Sequence, residues 1–189
     1  MWPFGRKKKR DEAEPEPKER FKEGTRALES GDFNTAIDVL VPLVEDEPDY
    51  VAARVNLGHA YYSTAEYVAA ARQFEEAHQR EPDNPKILLN QAAAKSALDQ
   101  LDEAIDLLIE ALNIDPKFRD VHYNLAIAYW RKGRVPEAMA ELEMELALHP
   151  DHEPAKQAAA RLKEEGAISR EETSGQASNE MDEDSPRID

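Results

Sequence analysis

The sequence predicts an all-α chain built as a stack of four helix pairs with one further helix closing its end. Three observations carry that reading. Asn56, Asn90 and Asn124 recur every 34 residues. Ala36, Ala70, Ala104 and Ala138 keep the same period, and so do Pro48, Pro82, Pro116 and Pro150. A period of this length, filled with apolar residues at helical spacing, marks a helical repeat array. Arrays of this kind present one long concave surface, which is usually where they bind.

The elements follow in order. Residues 1–17 read as a disordered tail. Arg6, Lys7, Lys8, Lys9 and Arg10 are five consecutive bases, and an acidic, proline-rich stretch follows them; neither part can bury apolar surface. The repeat domain is expected over 18–165, in repeats of about 18–50, 51–84, 85–118 and 119–152. In the first repeat Gly31-Asp32-Phe33 separates two helices, and Ala36, Ile37, Leu40, Val41, Leu43 and Val44 then recur at helical spacing until Pro48. Pro42 lies inside that second helix, where it removes a backbone donor and predicts a kink or a weakened helix. The second repeat breaks near Ala65-Glu66-Tyr67. The third starts at Pro85, behind a capping Asn84, and Pro136 marks another helix start. Residues 153–165 form a last helix, with Lys156, Arg161 and Lys163 for its outward side. Residues 166–189, rich in Ser, Glu and Asp, read as a disordered acidic tail.

These residues resemble the tetratricopeptide repeat. Leu57, Gly58, Tyr61, Ala70, Phe74, Ala77 and Pro82 match that family's pattern in register. So do Leu125, Ala126, Tyr129, Ala138, Leu142 and Pro150, and in the third repeat Ala104, Leu108, Ala111 and Pro116. The third repeat departs at Gln91, Ala92 and Lys95, and the first has Glu23 where Leu is usual. The resemblance implies a right-handed α-solenoid and a protein-binding scaffold or adaptor. Small Gly58, Ala70 and Ala77 are expected to let helices approach, with Tyr61 and Phe74 filling the space between layers.

Composition narrows the function. The 189 residues carry 24 Lys/Arg against 40 Asp/Glu, a net charge of −16. Nucleic acid is therefore excluded as the main partner, since phosphate binding needs a basic surface. The charge is uneven: residues 1–20 hold seven bases against five acids, and 166–189 hold two against seven. With no cysteine, disulfides, thiol catalysis and Cys-based zinc sites are excluded, which suits a reducing, cytoplasmic setting. No apolar run is long enough to span a bilayer. The glycines form no phosphate-cradling loop, and His149 and His152 flank a Pro-Asp turn that reads as a solvated loop. No enzyme, cofactor or metal is expected.

In the resembled family the first helix of each pair lines the groove. Register then assigns Phe21, Lys22 and Thr25; Ala52, Val55, Asn56, His59, Tyr62 and Ser63; Lys86, Leu89, Asn90 and Ala93; and Asp120, Tyr123, Asn124, Ile127, Trp130 and Arg131 to that surface. The asparagines are the sharpest candidates, because an amide both donates and accepts and so matches a peptide unit. The competing reading is that each amide bonds a neighbouring helix. Apolar groups outnumber charged ones in the set, which points to a partly hydrophobic peptide. The family's carboxylate clamp for chaperone C-termini is incomplete here: Phe21, Val55 or Leu89 falls where its first Lys belongs, and only Lys86 fits a later position. Trp2, Phe4, Arg6, Lys7, Lys8, Lys9 and Arg10 suit a weak contact with an anionic membrane or an acidic partner. Self-association through the open ends of the array is a further expectation.

Overall fold

A computed structural model describes residues 16–165 of the chain. The segments read as tails over 1–15 and 166–189, with Trp2, Phe4 and the bases Arg6 to Arg10, lie outside the described residues. The chain divides into two compact units at Pro82/Asp83. The first holds α1 (Pro17–Glu29), α2 (Phe33–Asp46), α3 (Val51–Ser63) and α4 (Tyr67–His78). The second holds α5 (Pro85–Ala97), α6 (Leu101–Ile114), α7 (Val121–Arg131), α8 (Val135–Leu148) and α9 (153–165). The described residues contain helices and turns and no strand.

Each helix pair reverses at one residue of left-handed backbone. These residues are Gly31, Ala65, Asp99 and Gly133, with φ of 80°, 62°, 61° and 73°. They stand 34 residues apart, so the repeat includes the turn conformation as well as the core. Glycine takes this geometry freely, whereas Ala65 and Asp99 carry a cost of about 1 kcal/mol each. After the first of these turns, Asp32 caps α2 by accepting from the Thr35 N–H at 3.2 Å. A hydrogen bond from the Thr35 side chain first, and that backbone bond second, hold the Asp32 carboxyl below the usual aspartate range. A depressed folded-state value contributes stability above the unfolded aspartate pKa, and that stability is lost as pH falls through the folded value. Asp32→Ala is expected to lower the melting temperature at pH 7 and to leave it nearly unchanged in strong acid. Asp32→Asn should keep the cap at both; thermal melts across pH check this.

Pro42 does not interrupt α2, which runs as one helix from Phe33 to Asp46. Pro42 is exposed, and so is Asp38, whose carbonyl loses its helical donor. The donor that Pro42 lacks is thus lost at an exposed carbonyl, where the helix tolerates it without ending.

Unit 1 packs Ala36, Leu40, Leu43, Ala53, Leu57 and Ala60 into one core. The pairing of small with large residues is literal. A Cβ built on Gly58 would lie 2.6 Å from the Phe74 ring, and one on Gly24 would lie 2.6 Å from Leu40. In unit 2 the same phases carry Ala92 with Leu108 and Ala126 with Leu142, each pair sharing a core. α9 completes the second of these cores with Ala155, Ala158, Ala159 and Leu162.

Candidate functional site

The first-helix residues expected to bind do not all stand free. On α3, Val55, Asn56 and His59 are half-buried, and Tyr62 and Ser63 are exposed. The Asn56 amide donates to Thr25 Oγ1 of α1 at 2.9 Å. His59 sets its ring edge-on to Phe74 at 5.4 Å, and Tyr62 meets Tyr67 edge-on at 5.3 Å. On α5, Lys86 is exposed, while Leu89, Asn90 and Ala93 are half-buried; Leu89 packs against the core.

On α7 the packing goes further. Asn124 donates to the Asp120 carbonyl at 2.8 Å, one helical turn back. Ile127 and Trp130 pack on the core that α9 completes, and Arg161 of α9 lies 4.8 Å over the Trp130 ring. Arg131 donates to the Ser96 carbonyl at 2.6 Å, to Ser96 Oγ at 2.9 Å and to Asp99 at 2.9 Å. It therefore ties the last turn of α5 to α7. Tyr123 stacks on His152 at 5.0 Å, as Phe21 stacks on Tyr50 at 4.9 Å three repeats earlier. Both are the same contact: a ring on the first helix against a ring in the turn that precedes the next one.

Two sequence readings change. Asp120 is not on the face of α7. It precedes the helix with a left-handed φ of 70°, and its carboxylate points to His152. His152 is not a solvated loop residue. It is 3% exposed, and Glu145 beside it is fully buried. His152 Nδ1 accepts from the Ala155 N–H at 3.0 Å, so it caps α9. In the neutral ring the proton then sits on Nε2, which donates to Asp120 Oδ1 at 2.6 Å and lies 3.7 Å from Glu145 Oε1. Glu145 Oε1 also accepts from the Asp120 backbone N–H at 3.3 Å, and its Oε2 has no partner.

Asp120, Glu145 and His152 bring their ligand atoms within 4.8 Å of one another, close enough to consider a metal. The tautomer argues against it. A metal needs the Nε2 lone pair and a proton on Nδ1 that is donated onward. Here Nδ1 receives an N–H instead, so ligation through Nε2 would break the α9 cap. The cluster is a fastener that joins the α6–α7 turn, α8 and α9.

Sequence reasoning also missed a buried cation position. Arg54 is 6% exposed and donates to the Pro48 carbonyl at 2.9 Å, to Gln73 at 3.3 Å and to Glu76. Two repeats later buried His122 meets Glu141 at 2.7 Å, in the phases of Arg54 and Gln73. The signal was readable: at those two phases the intervening repeat carries Leu88 and Leu107, both apolar. The first repeat breaks the pairing, with Arg20 and Val39 at those phases.

Known proteins agree with this architecture. Tetratricopeptide repeat profiles match residues 21–85, 65–117 and 95–162. The small glutamine-rich tetratricopeptide repeat-containing protein 2 of Mycosarcoma maydis is 33% identical over 108 residues, covering 57% of this chain and 31% of that protein. The chain spans well under half the length of the curated relatives it matches. Among solved structures, MamA superposes with a TM-score of 0.72 at 20% identity, over 82% of this chain and 85% of that one. The first TPR of Spaghetti (RPAP3), bound to the HSP90 peptide SRMEEVD, gives 0.59 at 19% identity, over 62% of this chain and 93% of that one. With the profiles spanning most of the chain, and with its turns, small–large pairs and helix order repeating at 34 residues, the protein belongs to the tetratricopeptide repeat family.

Proposed function

We propose that the protein is a non-catalytic interaction adaptor that holds an extended, partly hydrophobic peptide against the first helices of its repeats. Membership of a repeat family that mediates protein–protein contacts supports the general role. The state of the asparagine amides supports the finer one. Asn56 and Asn124 each spend one amide hydrogen on a bond inside their own unit. Among the described residues neither Oδ1 accepts a bond, so each amide keeps a carbonyl and a second N–H for a ligand. An amide held by one hydrogen is oriented before binding, which lowers the ordering cost of reading a peptide backbone. Exposed Tyr62 on α3 adds an aromatic anchor.

The peptide class follows from charge. The Spaghetti structure holds SRMEEVD, which has three acids in seven residues. Residues 21–165 of this chain hold 15 bases against 28 acids, so a peptide of that kind is repelled. Lys86 is the one clamp-type base at a matching position.

The test is a selection of peptides displayed on phage against the full chain and against Asn56→Ala/Tyr62→Ala, after circular dichroism shows equal helicity. Enriched peptides should be apolar and poor in acids, and should bind the variant about tenfold or more weakly, near 1.4 kcal/mol. SRMEEVD itself should not bind measurably. Tight binding of SRMEEVD, or selected peptides indifferent to both substitutions, would reject this reading.

A further inference from the structure

Unit 1 carries an open notch of about 790 Å³ between the start of α1 and the turn that joins α2 to α3. Its floor is apolar, with Pro17 and the Tyr50 ring; its rim carries Glu16, Glu19, Glu47 and Asp49 against one base, Lys18. Glu19 already pairs with Lys22 at 2.7 Å and Asp49 with Arg80 at 3.1 Å. No ion pair within the described residues engages Glu16 or Glu47, which leaves two rim carboxylates for an incoming cation. We infer that this notch holds the chain's own segment around Arg6 to Arg10.

Two features of that segment fit. Its five consecutive bases complement the rim, and Trp2 and Phe4 beside them offer rings to the apolar floor. The tether also fits. Arg10 lies six residues before Glu16, a span of about 20 Å when extended, and Glu16 is itself part of the rim. A tether this short sets an effective concentration in the millimolar range, so even a weak contact is populated. Asp11, Glu12 and Glu14 in the tether compete for the bases, but three acids leave two of the five cations for the rim. A docked segment has its charge covered, so the same contact controls whether these bases reach an anionic partner elsewhere.

The sequence has no cysteine, which makes the test clean. A nitroxide is attached to the full chain at Gly5→Cys, and backbone amide signals are compared with the reduced label. Signals of residues 47–50 should fall roughly threefold or more, because docking holds the label beside them against a tether-limited background. Signals near Tyr62 and Val68 should stay. Glu16→Gln/Glu47→Gln should restore most of the lost intensity, as should about 0.5 M salt, where charges are screened within about 4 Å. Both rim positions are exposed, so the variant keeps its fold. Equal broadening over the whole unit, or broadening indifferent to salt and to the rim variant, would overturn the assignment. So would broadening in a mixture of spin-labelled chains and separately isotope-labelled chains, which would make the occupant a second copy.

Discussion

Replacing His152 by alanine is expected to cost unit 2 about 2–4 kcal/mol, because it strands a buried carboxyl and a helix cap together. The reason lies in what stays behind. Glu145 is fully buried, with its Oε2 already without a partner, and the His152 Nε2–H that lies 3.7 Å from its Oε1 is lost. The Ala155 N–H loses its acceptor at the same time. Ala77 and Ala111 stand at the phase of Glu145 in the two preceding repeats, so Glu145→Ala removes the stranded carboxylate without installing a foreign residue. The double variant His152→Ala/Glu145→Ala should therefore recover most of the loss and stay below the parent by about 1–2 kcal/mol, near the worth of the lost cap. Trp130 packs on the core that α9 completes, so in a Trp2→Phe background its fluorescence in urea reports this unit directly. A single variant within about 1 kcal/mol of the parent would mean that water reaches Glu145 and that the fastener is idle.

Phe74→Ala should cost about 3–5 kcal/mol, since the ring is 1% exposed and fills the space over Gly58. The more telling measurement is Gly58→Ala. In a helix interior this change normally stabilises by about 1 kcal/mol. Here the new methyl would enter the Phe74 ring at 2.6 Å, and a fully buried ring has nowhere to go. The sign should reverse, to a loss of about 1–3 kcal/mol. Phe74→Leu in the same chain recreates the Ala–Leu combination of Ala92 with Leu108 and Ala126 with Leu142. In that background Gly58→Ala should be neutral or favourable. A cycle of the four chains isolates the coupling, and additive effects would show that Gly58 and Phe74 do not constrain each other.

Much of the fold was legible because its causes are local and recur. Helix starts at Pro85 and Val135-Pro136, the break at Gly31 and the small–large alternation each follow from a residue's own backbone or volume. The 34-residue period then multiplies one weak signal into four. Less of the candidate site was legible. Register placed Asn56, Asn90 and Asn124 on first helices, where they are. It could not separate Tyr62, which is exposed, from Trp130 at the same phase, which lies under Arg161. Whether a first-helix side chain is covered depends on the helix that follows it, and the phase of the repeat says nothing of that neighbour's residues.

The sequence by itself determined the repeat, the family, the order of helices and the acidic character of the surface. These depend on periodicity, backbone preference and summed charge, all of which are properties of the chain before it folds. Only the tertiary structure decided the fate of the polar residues. His152 and Asp120 are 32 residues apart and Glu145 lies between them; folding brings their ligand atoms within 4.8 Å and turns an apparent loop histidine into a buried fastener. The same holds for Arg131 on the end of α5 and for Arg54 under the α2–α3 turn. A polar side chain's role is set by the partner that satisfies it, and in a stacked array that partner comes from a different helix.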